Sequence, residues 1–353
     1  MPAARCAPRL PLLALAWLAL AVLLAACEQP ADPPAGPTPA SDWYSLYFTQ
    51  PQRQANRGGP DAALAEAIDQ ARLSVEVAVF DLNLWSIRDA LLAAHRRGVD
   101  VRLVTESDNL DEPEVQELIE AGIPVLGDRR EGLMHHKFTV IDGLEVWTGS
   151  LNYTLGAAYD NDNNLIRIRS TRLAENYRVE FAEMFERDDF GPGSRRDTPN
   201  PELTVEGVRI VSLFSPDDGA ADRIIEALSA AQESIFFMAY SFTSDPIAEA
   251  LIERLGAGVQ VQGVMETDQA RSNTGGEYQR LQDAGVEVYL DGNPDHMHHK
   301  VFIIDGQVVI TGSYNFSASA ETRNDENLLI VYDPQIAAAY LAEYRRVLAQ
   351  ARR

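Results

Sequence analysis

From residue 60 onward, apolar and polar positions fall into short blocks whose period switches back and forth. Residues 61–72 read as a helix, and Ser74-Val75-Glu76-Val77-Ala78-Val79-Phe80 follows as a buried strand. A helix at 86–97, a strand at 99–105 and a helix at 113–121 come next. Apolar runs on both sides of Asp142-Gly143 predict a hairpin, because Asp-Gly is a strong two-residue turn signal. A strand at 165–169 and a helix at 171–187 complete the set. Alternation of this kind argues for an α/β sandwich with a mixed sheet. Residues 188–204 (DDFGPGSRRDTPNPELT) hold three prolines and two glycines and read as a linker.

The pattern then repeats. Ser234-Ile235-Phe236-Phe237-Met238-Ala239-Tyr240 matches residues 74–80, and Ile247, Leu251, Gly258-Val259 and Val261 match Ile87, Leu91, Gly98-Val99 and Val101. The offset is 160 here and 163 from Ala284-Gly285 onward, which places three extra residues near Arg271–Gly276. The repeat unit is a whole domain, much longer than a solenoid period. Two α/β/α sandwich domains follow, 43–187 and 205–353, related by a pseudo-twofold axis as homodimers are. The chain has 353 residues, enough for two cores.

The first 27 residues are set apart from this fold. Arg5 and Arg9 precede an apolar run from Leu10 to Leu24, interrupted only by Pro11, and Leu24-Ala25-Ala26-Cys27 follows. The run is short for a spanning helix, which needs about 20 residues. It resembles a bacterial lipoprotein signal with Cys27 as the lipidated residue; a plain secretory signal is the alternative. Residues 28–42 form a tether, rich in proline up to residue 40. The expected address is extracytoplasmic, on a membrane through the lipid anchor. Without Cys6 and Cys27 the body has no cysteine, so disulfides and thiolate metal sites are excluded.

The net charge is −23, with 53 acidic against 30 basic residues, which disfavours non-specific binding to polyanions. Only two of the basic residues are lysines, Lys137 and Lys300. They lie in His135-His136-Lys137 and His298-His299-Lys300, and five of the six histidines lie in or beside these segments. Both continue to Asp142 or Asp305 and then to Gly149-Ser150-Leu151-Asn152 or Gly312-Ser313-Tyr314-Asn315, so each reads H-x-K-x4-D-x6-G-S-x-N. The first part alone arises by chance at roughly one position in ten thousand.

Residues two apart on a strand share a face. His135 therefore points with Lys137, and His298 with Lys300, while His136 and His299 face the core. Asp142 and Asp305 sit in the turns and are expected to orient strands. A pseudo-twofold axis brings two imidazoles and two ammonium groups to one cleft, with Ser150, Asn152, Ser313 and Asn315 as hydrogen-bond donors. Such a set suits an anionic phosphodiester: lysines neutralise phosphoryl oxygens, one histidine attacks and the other moves protons. No metal or other cofactor is required. The run His296-Met297-His298-His299 has two histidines on one face but no evident third metal ligand.

Both motifs resemble the H-x-K-D signature of the phospholipase D superfamily, over nearly the whole chain beyond the tether. The second copy is especially similar to small bacterial endonucleases of that superfamily, which carry one motif per chain and dimerise. The resemblance implies a monomer with a complete site and a phosphohistidine intermediate, with His135 as nucleophile and His298 as acid/base. It also implies a glutamate supporting a histidine. Glu326, in Asn324-Asp325-Glu326-Asn327, has Asn163 as its first-copy counterpart, and its expected partner is His298. The address favours a phospholipid substrate. Nucleic acid is the alternative, with Arg129, Arg130 and Arg271 as candidate phosphate contacts. Phosphatidyl transfer of the cardiolipin synthase type comes third.

Overall fold

The computed structural model describes residues 41–51 and 56–353, together with Met1. The leader with Cys27, and the tether up to residue 40, lie outside the described residues. The body forms two mixed sheets.

The first sheet takes seven strands: β1 (Tyr44–Phe48), β2 (Ser74–Val79), β3 (Asp100–Thr105), β4 (Val125–Gly127), β5 (Lys137–Ile141), β6 (Glu145–Gly149) and β7 (Asn164–Arg169). Their order is β1-β7-β6-β5-β2-β3-β4. The second takes eight: β8 (Glu202–Val205), β9 (Val208–Ser215), β10 (Ser234–Ala239), β11 (Gln260–Met265), β12 (Glu287–Leu290), β13 (Lys300–Ile304), β14 (Val308–Gly312) and β15 (Glu326–Tyr332). Their order is β12-β11-β10-β13-β14-β15-β9-β8. In each sheet the helix-linked strands are parallel (β2-β3-β4, β10-β11-β12) and the hairpin strands antiparallel.

The edges carry strands that the sequence pattern does not single out. Strand β1 closes one side of the first sheet, and the hairpin β8–β9 closes one side of the second. Strand β8 begins inside the 188–204 segment, so the irregular connection ends three residues earlier than composition suggests. Strands β1 and β8 are only five and four residues long, so their alternation is too brief to stand out.

Each sheet has one outer face covered by its own helices. Pro60–Gln70 and Trp85–Arg96 bury Leu64, Ile68, Ile87 and Leu91 against Val75, Val77 and Leu103. The other faces meet in a shared layer. There Thr171–Arg187 and Pro334–Ala351 pack into one cluster that runs from Phe138, Tyr177 and Phe181 to Phe214, Val301 and Tyr340. Both helices begin on a side-chain cap. Ser170 accepts from Leu173 N at 3.3 Å, and Asp333 accepts from Gln335 N and Ile336 N at 2.8 Å, with Pro334 at the first helical position. Burying each large apolar side chain in this layer stabilises the join by ~1.5–3 kcal/mol. Tyr177 stacks edge-on against Phe138 of its own copy and Phe214 of the other, with ring centres 4.9 and 5.0 Å apart. The two copies are therefore held as one body.

Candidate active site

The turns set the strands that carry the site. Asp142-Gly143 and Asp305-Gly306 have positive φ at both residues (55° and 60°, 51° and 60°), the type I′ geometry of tight hairpins. The Asp142 carboxylate accepts from the amides of Arg72, Leu73 and Ser74 at 2.7–3.1 Å. Asp305 accepts from Gln232, Glu233 and Ser234, each at 2.8 Å. Each aspartate thus ties its hairpin to the start of the neighbouring strand and takes no part in the cleft. Gly149 and Gly312 close the hairpins at φ 147° and 151°. A Cβ there would collide with the carbonyl oxygens of Asn164 and Asn327, so glycine is required for this approach.

At the start of β5 and β13 the two motifs lie against each other's copies. His135 N donates to Asp325 O at 3.0 Å, and Asp325 N to Leu133 O at 2.9 Å. The mirror pair is His298 N to Asp162 O at 2.9 Å and Asp162 N to His296 O at 2.8 Å. Arg130 pairs with Asp325 and Arg346 with Asp162, which anchors both crossings. The pseudo-twofold axis runs between them.

His135 and His298 are each 7% exposed, while Lys137 and Lys300 are 1% and 0% exposed. Lys137 Nζ donates to His135 O, and Lys300 Nζ to His298 O, each at 2.9 Å. Each lysine also lies near an aromatic ring at the same position of its copy. Phe80 is 5.3 Å from Lys137 Nζ and Tyr240 is 4.6 Å from Lys300 Nζ. The same rings pack edge-on against His135 and His298, at 5.1 and 4.5 Å. As expected from strand parity, His136 and His299 point away. Their Nε2 atoms meet Glu180 and Glu343 on the two central helices, at 2.8 and 3.1 Å.

The support of the two histidines corrects the sequence expectation. Glu326 pairs with His135, not His298: Nδ1 lies 2.9 and 2.8 Å from its two carboxylate oxygens. His298 Nδ1 instead meets Asn163 Oδ1 at 2.9 Å and Ser150 O at 3.1 Å. The crossing of the copies is the reason, because each supporting strand lies against the motif of the other half. Ser313 donates to Glu326 at 2.6 Å and Ser150 to Asn163 at 2.8 Å, so both serines fix the supporting residues. Asn152 and Asn315 are half-buried, and their side-chain oxygens are buried without a partner among the described residues.

Burial dominates the electrostatics. It lowers His135 and His298 well below the usual imidazole value, and Lys137 and Lys300 push the same way. Burial also brings Lys137 down to about 7, although Glu326 and Asp81 oppose it. Lys300 is likewise held well below its usual value, by burial and then by the charge of Lys137. Glu326 is raised to about 7 by burial, against the pull of Lys137 and Ser313. Two buried ammonium groups facing two imidazoles form a site short of negative charge, which an anion would supply.

Sequence reasoning misses one neighbour, Asp81, and does not place two residues it names, Asn163 and His296. Asp81 is a half-buried carboxyl beside Lys137, raised to about 6 by burial and by Glu112. Asn163 was legible only as the counterpart of Glu326. His296 meets the buried Glu266 at 3.0 Å. No cluster of three or more His, Cys, Asp or Glu side chains among the described residues is arranged to hold a metal ion. No helix among them is long and apolar enough to cross a membrane.

Comparison with known proteins gives a consistent picture. The family described as "Cardiolipin synthase, PLD-like domain" matches residues 64–185 and again 224–348, once on each copy. A phospholipase D of Rickettsia bellii is 37% identical over 156 residues, covering 42% of this chain and 76% of the relative. A mitochondrial cardiolipin hydrolase of Xenopus laevis is 38% identical over 147 residues, 40% of this chain and 69% of the relative. The crystal structure of phosphatidylserine synthase from Haemophilus influenzae superposes with a TM-score of 0.65 at 15% identity. That match spans 87% of this chain and 86% of the other, and it bears on the fold alone.

Proposed function

The chain belongs to the PLD-like domain family, and on that premise we propose that it is a phosphodiesterase acting on a phospholipid through a phosphohistidine intermediate. The observation that carries this reading is the unequal support of two facing histidines. Glu326 accepts a hydrogen bond from Nδ1–H of His135, which fixes the tautomer with its lone pair on Nε2 for attack at phosphorus. His298 rests on a neutral amide and a carbonyl; once the anionic phosphodiester offsets the charges of Lys137 and Lys300, its ring takes up a proton from solvent, and Nε2 gives that proton to the leaving alkoxide and later takes one back from water. Lys137 and Lys300 hold the phosphoryl oxygens as compact charges. The relatives' names, phospholipase D and cardiolipin hydrolase, support lipid as substrate.

Nucleic acid is the runner-up. A nuclease needs cations along the backbone beyond the scissile bond. Two of the candidate arginines are already engaged, Arg129 with Asp188 and Arg130 with Asp325, and the net charge is −23. These features support lipid over DNA. The test gives the purified protein, with chelator present, phospholipid vesicles and single-stranded DNA in parallel, plus glycerol as an alternative acceptor. Headgroup release without DNA cleavage is expected. DNA cleavage alone would overturn the lipid reading, and predominant transfer to glycerol would make the chain a transferase.

The anchor is part of the same proposal: Cys27 carries lipid and holds the enzyme on a membrane outside the cytoplasm, where it works as a monomer. Cys27→Ala is expected to move the protein into the soluble fraction. Unchanged membrane association would contradict the anchor.

A further inference from the structure

The two halves of the cleft are not equivalent at their lips. His296 stands where the first copy has Leu133. Its side chain is 44% exposed, and its Nδ1 lies 3.0 Å from Oε1 of Glu266, a carboxylate that is 1% exposed. In the first copy the corresponding Glu106 accepts from a backbone amide instead, Met134 N, at 2.9 Å. Tyr240 lies between His296 and His298, with ring centres 5.8 and 4.5 Å away. Its hydroxyl accepts from Gln269 Nε2 at 3.4 Å. The corresponding Phe80 has no hydroxyl. The second half thus lines its lip with His296, Tyr240 and Gln269, where the first half has Leu133, Phe80 and Asn109.

In-line displacement at phosphorus puts the attacking and departing groups on opposite sides. With His135 attacking, the alcohol departs toward His298, against Tyr240 and His296. We propose that His296, oriented by Glu266, is a contact for the leaving alcohol. With the Nδ1 proton held by the carboxylate, Nε2 is left to bond a hydroxyl carried by the headgroup. The site would then favour a headgroup with free hydroxyls, of the glycerol type, over a quaternary ammonium that offers none. This rests on the phosphodiesterase reading and on His135 as nucleophile.

The test compares phosphatidylglycerol with phosphatidylcholine and with a 4-nitrophenyl phosphodiester, in wild type, His296→Ala and Glu266→Gln. The ratio of kcat/KM for phosphatidylglycerol to that for the nitrophenyl ester should fall about tenfold or more in His296→Ala, and by less in Glu266→Gln. The phosphatidylcholine ratio should stay within about twofold. Ratios do not depend on the folded fraction, so poor folding cannot imitate the result. An unchanged phosphatidylglycerol ratio, or an equal fall for both lipids, would overturn the subsite. Wild-type protein inactive on all three substrates would overturn the phosphodiesterase reading itself, and the subsite with it.

Discussion

Glu326 of the second copy holds His135 of the first, with Nδ1 2.8 Å from the nearer carboxylate oxygen. The contact spans 191 residues of sequence and makes the site a joint product of both halves. It also distinguishes the two histidines, because His298 has Asn163 in the same place.

Glu326→Gln keeps the shape of that partner but loses its charge, so the Nδ1 proton of His135 is no longer strongly fixed. By analogy with carboxylate-to-amide changes in other catalytic units, kcat should fall by roughly 10²–10⁴-fold. The pH dependence should change as well. The carboxyl of Glu326 is raised to about 7 by burial, so it is protonated below that pH and accepts poorly from His135. Wild-type kcat/KM should rise through about pH 7, and this limb should vanish in the variant. Unchanged rate and profile would show that the contact is incidental.

The lysines are predicted to be irreplaceable by arginine. Each is fully buried, with Nζ on a carbonyl and an aromatic ring nearby, which leaves no room for a planar fork. Lys137→Arg and Lys300→Arg should each reduce kcat/KM by ~10²–10³-fold, the scale of losing one charge-stabilising donor. A loss below threefold in both would contradict the stated role.

Anion binding should take up protons. Burial lowers Lys137 to about 7 and holds Lys300 well below its usual value, so part of the Lys137 charge is absent near and above pH 7. A bound anion favours the charged form and raises both values. Calorimetry of sulfate binding at pH 7.5, in buffers of different ionisation enthalpy, should report net proton uptake. Zero uptake or net release would contradict this reading of the two lysines.

How much of this was legible in the sequence depends on distance along the chain. Local periodicity yields the helices and central strands, and the Asp-Gly turns reveal Asp142 and Asp305 as scaffold residues. Strand parity separates His135 and His298 from His136 and His299. Pairings across the copies leave no local mark, which is why the sequence alone pairs Glu326 with His298, the histidine of its own half. Likewise, nothing in Ser150 or Ser313 tells whether a hydroxyl meets phosphate or, as here, a neighbouring side chain. Strands β1 and β8 join the sheet edges through backbone bonds that their short sequences do not announce.

The turn aspartates give a prediction about stability. Asp142→Ala or Asp305→Ala removes a carboxylate that accepts from three amides, with an expected cost of ~1–3 kcal/mol each in chemical denaturation. Activity per folded molecule should change by less than about twofold. Burial pushes the Asp305 carboxyl up, but the amides of Ser234, Gln232 and Glu233 pull it below its usual value overall. Its stabilisation is therefore present above the unfolded value near 3.9 and lost as pH falls through the folded one. The difference between wild type and Asp305→Ala should shrink as pH falls below the unfolded value near 3.9. A constant difference down to pH 2 would contradict the assignment.

The most direct measurement is trapping of the covalent intermediate. A nitrophenyl phosphodiester needs little acid assistance to lose its alcohol, so His298→Asn should still form the phosphohistidine but release it slowly. Rapid quench at neutral to alkaline pH, followed by peptide mass analysis, should place the adduct on His135 in His298→Asn and find none in His135→Asn. An adduct on His298, or full turnover by His135→Asn, would contradict the account.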